Sequence, residues 1–266
     1  MNRSLSALLL VAPFLLVASF TAPPALAGGF EGTIEMTMTT PQGDGKMTVS
    51  VGKSGVRSDT QMTAQGMPVE MSVLMKANQK NVAYLINAKQ KSYAEIDLVE
   101  ARKMAADQDT KWTAKKIGKE KLLGYSTVHA EVSNDKGLSM EVWTTKDLNI
   151  DPSVLEAMGG NSPSDSTMMK ALKSAGADGF MVKMVSTGKG GGTTLQVTKV
   201  EKKSVPAATF EIPAGFTKSQ TGPAGAMMTP EQAKQMEEAM RQMTPEQRKM
   251  LEDMMKQKMK AQAQPK

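Results

Sequence analysis

From Phe30 onward the chain alternates apolar and polar residues with a period of two. Phe30, Gly32, Ile34, Met36 and Met38 fall between Glu31, Thr33, Glu35 and Thr37. Successive side chains of a strand point to opposite faces, so this spacing predicts a half-buried strand and argues against a helix. The pattern recurs. Met47, Val49 and Val51 resume it after TPQGDGK; Val56, Ser58 and Thr60 then oppose Arg57, Asp59 and Gln61; Val69, Met71, Val73 and Met75 form a longer apolar row. VAYLI and KSYAEI flank NAKQ as a hairpin. Leu122, Val128, Ala130 and Val132 read as one face of a further strand, with Tyr125, Thr127, His129 and Glu131 on the other, and LSMEVWTT returns after SNDKG. GFMVKMVSTG and TTLQVTKVEKK follow, joined by GKGGG, and ATFEIPAGF reads as a last short strand. About eleven strands result, enough to curl strongly or to close partly around a cavity.

Helices interrupt this meander near its middle. Asp97 with Glu100 three residues on has capping-box spacing. Asp151-Pro152 places a cap before proline at a first helical position, and SDSTMMKALKSAG ends at Gly176 with Met168, Leu172 and Ala175 on one side. The fold class expected is mainly β with helical insertions, a curved antiparallel sheet over residues 28–218.

Both ends differ from this domain. Arg3, the apolar run Leu5 to Phe20, the break at Pro23-Pro24 and Ala25-Leu26-Ala27 have the order of a secretory signal over residues 1–27, cut between Ala27 and Gly28. The run is 16 residues and contains Pro13, too short for a bilayer-spanning helix. A periplasmic or secreted protein with no transmembrane span after cleavage is expected. Residues 219–228 form a linker, and in 229–266 the motif TPEQ occurs at Thr229 and again at Thr244, a helix start written twice. Met236, Met240 and Met243 line the first segment, and Met250, Met254 and Met255 line the second. An alternative function rests on this Met-rich helical tail, a periplasmic chaperone-like or protein-interaction module that engages an envelope protein partner, because unbranched thioethers adapt to irregular surfaces.

Composition removes several classes of function. The chain has 0 cysteines, which excludes thiol nucleophiles, iron–sulfur clusters and cysteine-ligated zinc. Its net charge of +6 comes from scattered lysines, with groups at Lys115, Lys116, Lys119 and Lys121 and at Lys199, Lys202 and Lys203; aromatic residues are only 4%, so no stacking platform for nucleic acid exists. GKGGG lacks the order GxxxxGK[ST] of a phosphate loop. Glu31 and Glu35 lie about 13 Å apart along a strand, beyond the spacing of a glycosidase pair. His129, the single histidine, is expected at a solvent-facing strand position. No catalytic residue, cofactor or resident metal is assigned, and the protein reads as non-enzymatic.

The binding surface is expected on the sheet. If it curls, Met71, Val73, Met75, Val182, Met184, Leu195 and Val197 line an apolar concave face that suits a lipid or a lipoprotein acyl chain. A further alternative rests on the 24 methionines, since Met36 and Met38, or Met254, Met255 and Met259, offer thioethers to Cu(I).

The stretch AKKIGKEKLLGYSTVHAEV with MEVWTTKDL, and the later VEKKSVPAATFEIPAGF, resemble an exported bacterial family described as domain of unknown function 4412. Gly124-Tyr125, Trp143 and the Phe210-Ile212-Pro213-Gly215-Phe216 ending carry that resemblance across about Phe30 to Phe216. It implies a half-barrel similar to the lipoprotein carriers LolA and LppX, a curved antiparallel sheet around helices, and it brings no catalytic residues. MTPEQRKMLEDMMKQ is similar to the LTxxQ element of Spy/CpxP-type periplasmic chaperones, with methionine where that element has leucine.

Overall fold

The computed structural model describes residues 29–64, 67–79, 81–101, 110–150, 163–188 and 191–219, with Glu238 and Thr244 as single positions. The expected signal segment with its Ala27/Gly28 junction, the Asp151-Pro152 helix start and the rest of the tail lie outside these residues.

The alternating segments form β1 (Gly32–Thr40), β2 (Gly43–Gly52), β3 (Gly55–Ala64), β4 (Met67–Lys76), β5 (Val82–Asn87) and β6 (Ser92–Asp97). A second run gives β7 (Trp112–Leu122), β8 (Tyr125–Asn134), β9 (Ser139–Thr145), β10 (Phe180–Gly188) and β11 (Gly191–Lys202), and β12 (Thr217–Lys218) closes the chain's course. One 12-stranded sheet results, in the order β12-β6-β5-β4-β3-β2-β1-β11-β10-β9-β8-β7. Two meanders therefore meet where β11 pairs antiparallel with β1. The sheet is open and curved, with β7 and β12 at its edges. Among the described residues no helix is long and apolar enough to cross a membrane.

The helix α1 (Pro163–Ser174) sits between β9 and β10. Its end has a physical cause. Gly176 takes φ 69°, Gly176 N–H donates to Lys173 O at 3.0 Å, and Ala177 N–H donates to Leu172 O at 2.9 Å, which satisfies carbonyls that the helix leaves open. The expected cap at Asp97 is also present, its Oδ1 accepting from Val99 N–H at 2.8 Å and from Glu100 N–H at 3.2 Å.

Both faces of the sheet carry core. On one, Ile34, Val49, Val51, Val56 and Met75 are buried in a cluster that includes Leu98, from the helical turn after β6, and Leu148 and Ile150, from the segment after β9. Further along, Leu172 of α1 packs with Ala130, Val132, Met140 and Val142. On the other face Leu74, Tyr84 and Ile86 enclose Phe210. Each such buried side chain contributes about 1.5–3 kcal/mol.

One expectation needs correction. ATFEIPAGF is not a strand: Ala207–Phe210 is a 3-10 turn after Pro206, with Thr209 N–H donating to Pro206 O at 2.9 Å. The turn swings Phe210 over Gly52, where an added Cβ would lie 2.7 Å from the Phe210 ring. The twelfth strand is instead Thr217–Lys218, two residues running parallel to Ser92-Tyr93. Glu31 holds this C-terminal segment in place. Its Oε1 accepts from Val205 N–H at 3.0 Å and Ser204 Oγ at 3.1 Å, and the backbone bond from Val205 keeps the carboxyl below its ordinary value.

Candidate ligand-binding face

Direct partners across an antiparallel ladder share a face, so the register shows which residues lie side by side. Ala83, Met75, Val56 and Val51 form one row across β5–β2, and Leu85, Val73, Ser58, Val49 and Ile34 form the next. Met71, Thr60, Met47, Met36 and Val197 follow. A fourth row runs Val69, Met62, Gly45, Met38, Leu195, Met184, Val142 and Ala130, crossing from β4 to β8.

Burial changes along this face. Its first two rows are filled, with Ile34, Val49, Val51, Val56, Met75 and Ala83 all buried. Toward the end that carries the Pro41-Gln42 turn the cover thins: Met38, Met47, Met62, Met71, Met184 and Leu195 are half-buried, and Val69 is 38% exposed. Valine and isoleucine are stiff at χ1 and suit the filled end, whereas methionine can change shape at the open one.

Gly45 leaves a gap in the fourth row. A Cβ there would lie 2.9 Å from Met62 Cβ and 3.4 Å from Met38 Cε, so the methyl of Met38 leans over a glycine that has no side chain to meet it. An open cleft of about 560 Å3 lies at the same end of these strands; Met38, Gly45, Met62 and Val69 of the apolar face reach it, but most of its lining, including Thr37, Lys46, Gln61 and Glu70, comes from the alternate rows of the opposite face.

The seven residues expected to line a ligand site divide between these zones. Met75, Val182 and Val197 are buried within the main cluster, and Val73 and Leu195 pack half-buried against it. Met71 packs with Leu85 and Ala94, and Met184 belongs to the cluster that contains Leu172. Six of the seven share the face just described, and Val182 sits at the register shift in β10 between Met181 and Lys183. Sequence reasoning missed Met38, Met47 and Met62 as neighbours of this group. Their period-two positions were visible, but the pairing that brings three hairpins side by side was not.

The opposite face corrects the reading of His129. It does lie opposite Ala130, yet it does not face solvent. The side chain is 17% exposed, and its ring stacks on Trp143 with centroids 4.1 Å apart and planes 11° apart. Nε2 lies 2.8 Å from Glu141 Oε2, and Nδ1 lies 3.6 Å from Glu120 Oε1. Trp143 Nε1–H donates to Glu120, and from the strand on its other side Lys183 places Nζ 4.5 Å from the indole centroid. Two carboxylates meet different nitrogens of one ring, so they do not converge as ligands; among the described residues no cluster of three or more His, Asp or Glu side chains suits a metal. Leu122 is on this face too, because the Leu123-Gly124 turn reverses the chain and pairs Leu122 with Tyr125. Glu31 and Glu35 have separate partners, Val205 and Lys199.

A family model described as domain of unknown function 4412 matches residues 30–216. The chain belongs to that family. The match runs from the residues before β1 through β11 to the Phe210-to-Phe216 ending, just short of β12. No curated protein matches the chain. Among solved structures it is similar to an uncharacterized conserved protein from Thermus thermophilus, at 8% identity over 71% of this chain and 90% of that one, with a TM-score of 0.43. It is also similar to the lipoprotein LppX of Mycobacterium tuberculosis, at 9% identity over 69% and 92%, with a TM-score of 0.32. A putative outer membrane lipoprotein-sorting protein domain from Vibrio parahaemolyticus aligns at 10% identity over 68% and 88%, with a TM-score of 0.27.

Proposed function

We propose that this DUF4412 protein is a non-enzymatic envelope protein that binds a hydrophobic ligand, a lipid or a lipoprotein acyl chain, on the half-open end of its apolar face. One observation carries the reading: a face packed solid at one end gives way to a strip of half-buried methionines at the other. Each methylene seated there contributes about 0.8 kcal/mol, and methionine walls can follow a flexible chain. Met75, Val182 and Val197 then act as floor, while Met71, Val73, Met184 and Leu195 border the ligand. The signal-like segment 1–27 supports the compartment, with cleavage between Ala27 and Gly28.

Native mass spectrometry of protein purified gently from its own envelope tests this directly, and co-purified lipid is the expected result. Val73→Asp and Leu195→Asp should weaken displacement of a fluorescent fatty acid, because each sets a carboxylate beside the acyl chain. Circular dichroism must show that the variants fold. Folded variants with unchanged affinity would sink the proposal.

A second reading is Cu(I) binding, favoured by the adjacency of Met36 with Met47 and by Met38 and Met62 flanking Gly45 in one row. Titration with Cu(I) distinguishes it, since a metal site is lost in Met38→Leu and an acyl site is not.

A further inference from the structure

The apolar strip leaves one part of the molecule unexplained, the edge strand β7, which among the described residues pairs with β8 alone. It and its flanking turns carry Lys111, Lys115, Lys116, Lys119, Lys121 and Lys136, all exposed. Among the described residues none of these six forms an ion pair within 4 Å, whereas Lys76, Lys146, Lys199, Lys203 and Lys218 are paired; Lys53 and Lys202 elsewhere are also without one, so the clustering along one edge is what sets the six apart. The nearby carboxylates are already occupied or opposed. Glu120 accepts from Trp143, Asp135 accepts from the Lys111 backbone N–H at 3.1 Å, and Glu131 stands across the ladder from Lys115.

Lysines on an edge strand also discourage pairing with another sheet, and that role alone could account for them. It does not account for two aliphatic residues set among them. Ile117 is 53% exposed at the register shift between Lys116 and Gly118, and Leu123 is 47% exposed in the next turn. Leu123 also takes φ 53°, a left-handed turn position that favours asparagine or glycine and penalises a branched side chain. The fold gains neither burial nor backbone ease from leucine there.

We propose that this edge docks the protein on an anionic lipid bilayer. Basic residues interleaved with exposed aliphatic ones are the composition of interfacial anchors, which combine attraction to acidic headgroups with shallow insertion. The shape fits as well: the lysines of β7, from Lys115 to Lys121, run along a line of about 20 Å, suited to a flat surface rather than to a point ligand. The broken register at Ile117 and the lysines flanking it oppose the alternative, addition of a strand from an acidic protein.

The test is flotation of the mature full chain with vesicles of phosphatidylglycerol and phosphatidylethanolamine, against vesicles of phosphatidylcholine. Binding is expected on the anionic vesicles only, falling about tenfold as salt rises from about 50 to about 300 mM. Lys116→Glu/Lys119→Glu should lose about tenfold or more, while the charge-matched Lys53→Glu/Lys202→Glu stays within about threefold. Leu123→Asn separates docking from folding, since it should raise the melting temperature by relieving the turn and still weaken vesicle binding. Equal loss in both charge-reversal variants would reduce the effect to net charge and overturn the proposal. So would equal binding to neutral vesicles, full binding by Leu123→Asn, or capture of a polyglutamate peptide with no vesicle binding.

Discussion

Replacing His129 by alanine measures what the stack on Trp143 is worth. Two interactions disappear, the parallel ring contact at 4.1 Å and the Nε2 bond to Glu141 at 2.8 Å. The Glu141 side chain is half exposed, so its carboxylate regains water readily and the bond contributes at the low end of about 0.5–1.5 kcal/mol. Ring stacking adds about 0.5–1.5 kcal/mol beyond the area it buries. A loss of about 1–2 kcal/mol follows, or about 2–8 °C in melting temperature for a domain of this size. Urea unfolding followed by Trp fluorescence reads it, because Trp143 is buried in the stack. His129→Phe keeps the ring and loses the bond, so it should recover most of the stability. A change below about 0.5 kcal/mol in His129→Ala, the scale of an ordinary surface site, would refute the argument. Equal loss in His129→Phe would show that the hydrogen bond, not the stack, carries the effect.

Phe210→Ala should cost about 3–5 kcal/mol in denaturant unfolding, since it empties the space between Gly52, Leu74 and Tyr84. Glu201, bonded by Lys199 and Lys203, is held down from the ordinary 4.5 to about 2. Its contribution is therefore present above about pH 4.5 and is lost as pH falls toward 2; Glu201→Gln should flatten that part of the stability–pH curve, read by thermal melts. Truncation after Gly222 should leave the circular dichroism spectrum of the sheet and fatty-acid binding unchanged; loss of binding with the fold intact would make the tail the working surface.

Much of the sheet was legible because period-two alternation is a local property. β1 could be read from Phe30 to Met38 without knowing what lay beside it. The helix stop at Gly176 was equally local. What failed depended on partners distant in sequence. ATFEIPAGF has strand composition, yet Phe210 is drawn over Gly52, more than a hundred residues earlier, and a 3-10 turn delivers it there. His129 alternated correctly, but the direction of its face depended on Trp143 and Glu120 standing on the flanking strands. Leu74 was hidden for the same reason: it lies between Val73 and Met75 in a row that reads as one-sided, and only the returning C-terminal segment buries its other face.

The distribution of methionine along the apolar face separates a binding surface from a merely loose core. If methionine only filled gaps, it would be buried wherever it occurred on that face. Met36 and Met75 are buried, but Met38, Met47, Met62 and Met71 are not, and these four lie in the two rows nearest the Pro41-Gln42 end. The filled rows beneath use Ile34, Val49, Val51 and Val56 instead, whose branched side chains hold one rotamer against rigid neighbours. Stiff residues thus fix the floor, and flexible ones stand where the protein's own chain supplies incomplete cover. A surface selected only for stability gains nothing from this order, because half-exposed thioethers leave transfer free energy unrealised. A ligand without fixed shape, such as an acyl chain, completes that burial while the methionines adjust around it, and this links the alternation that begins at Phe30 to the function proposed for the sheet.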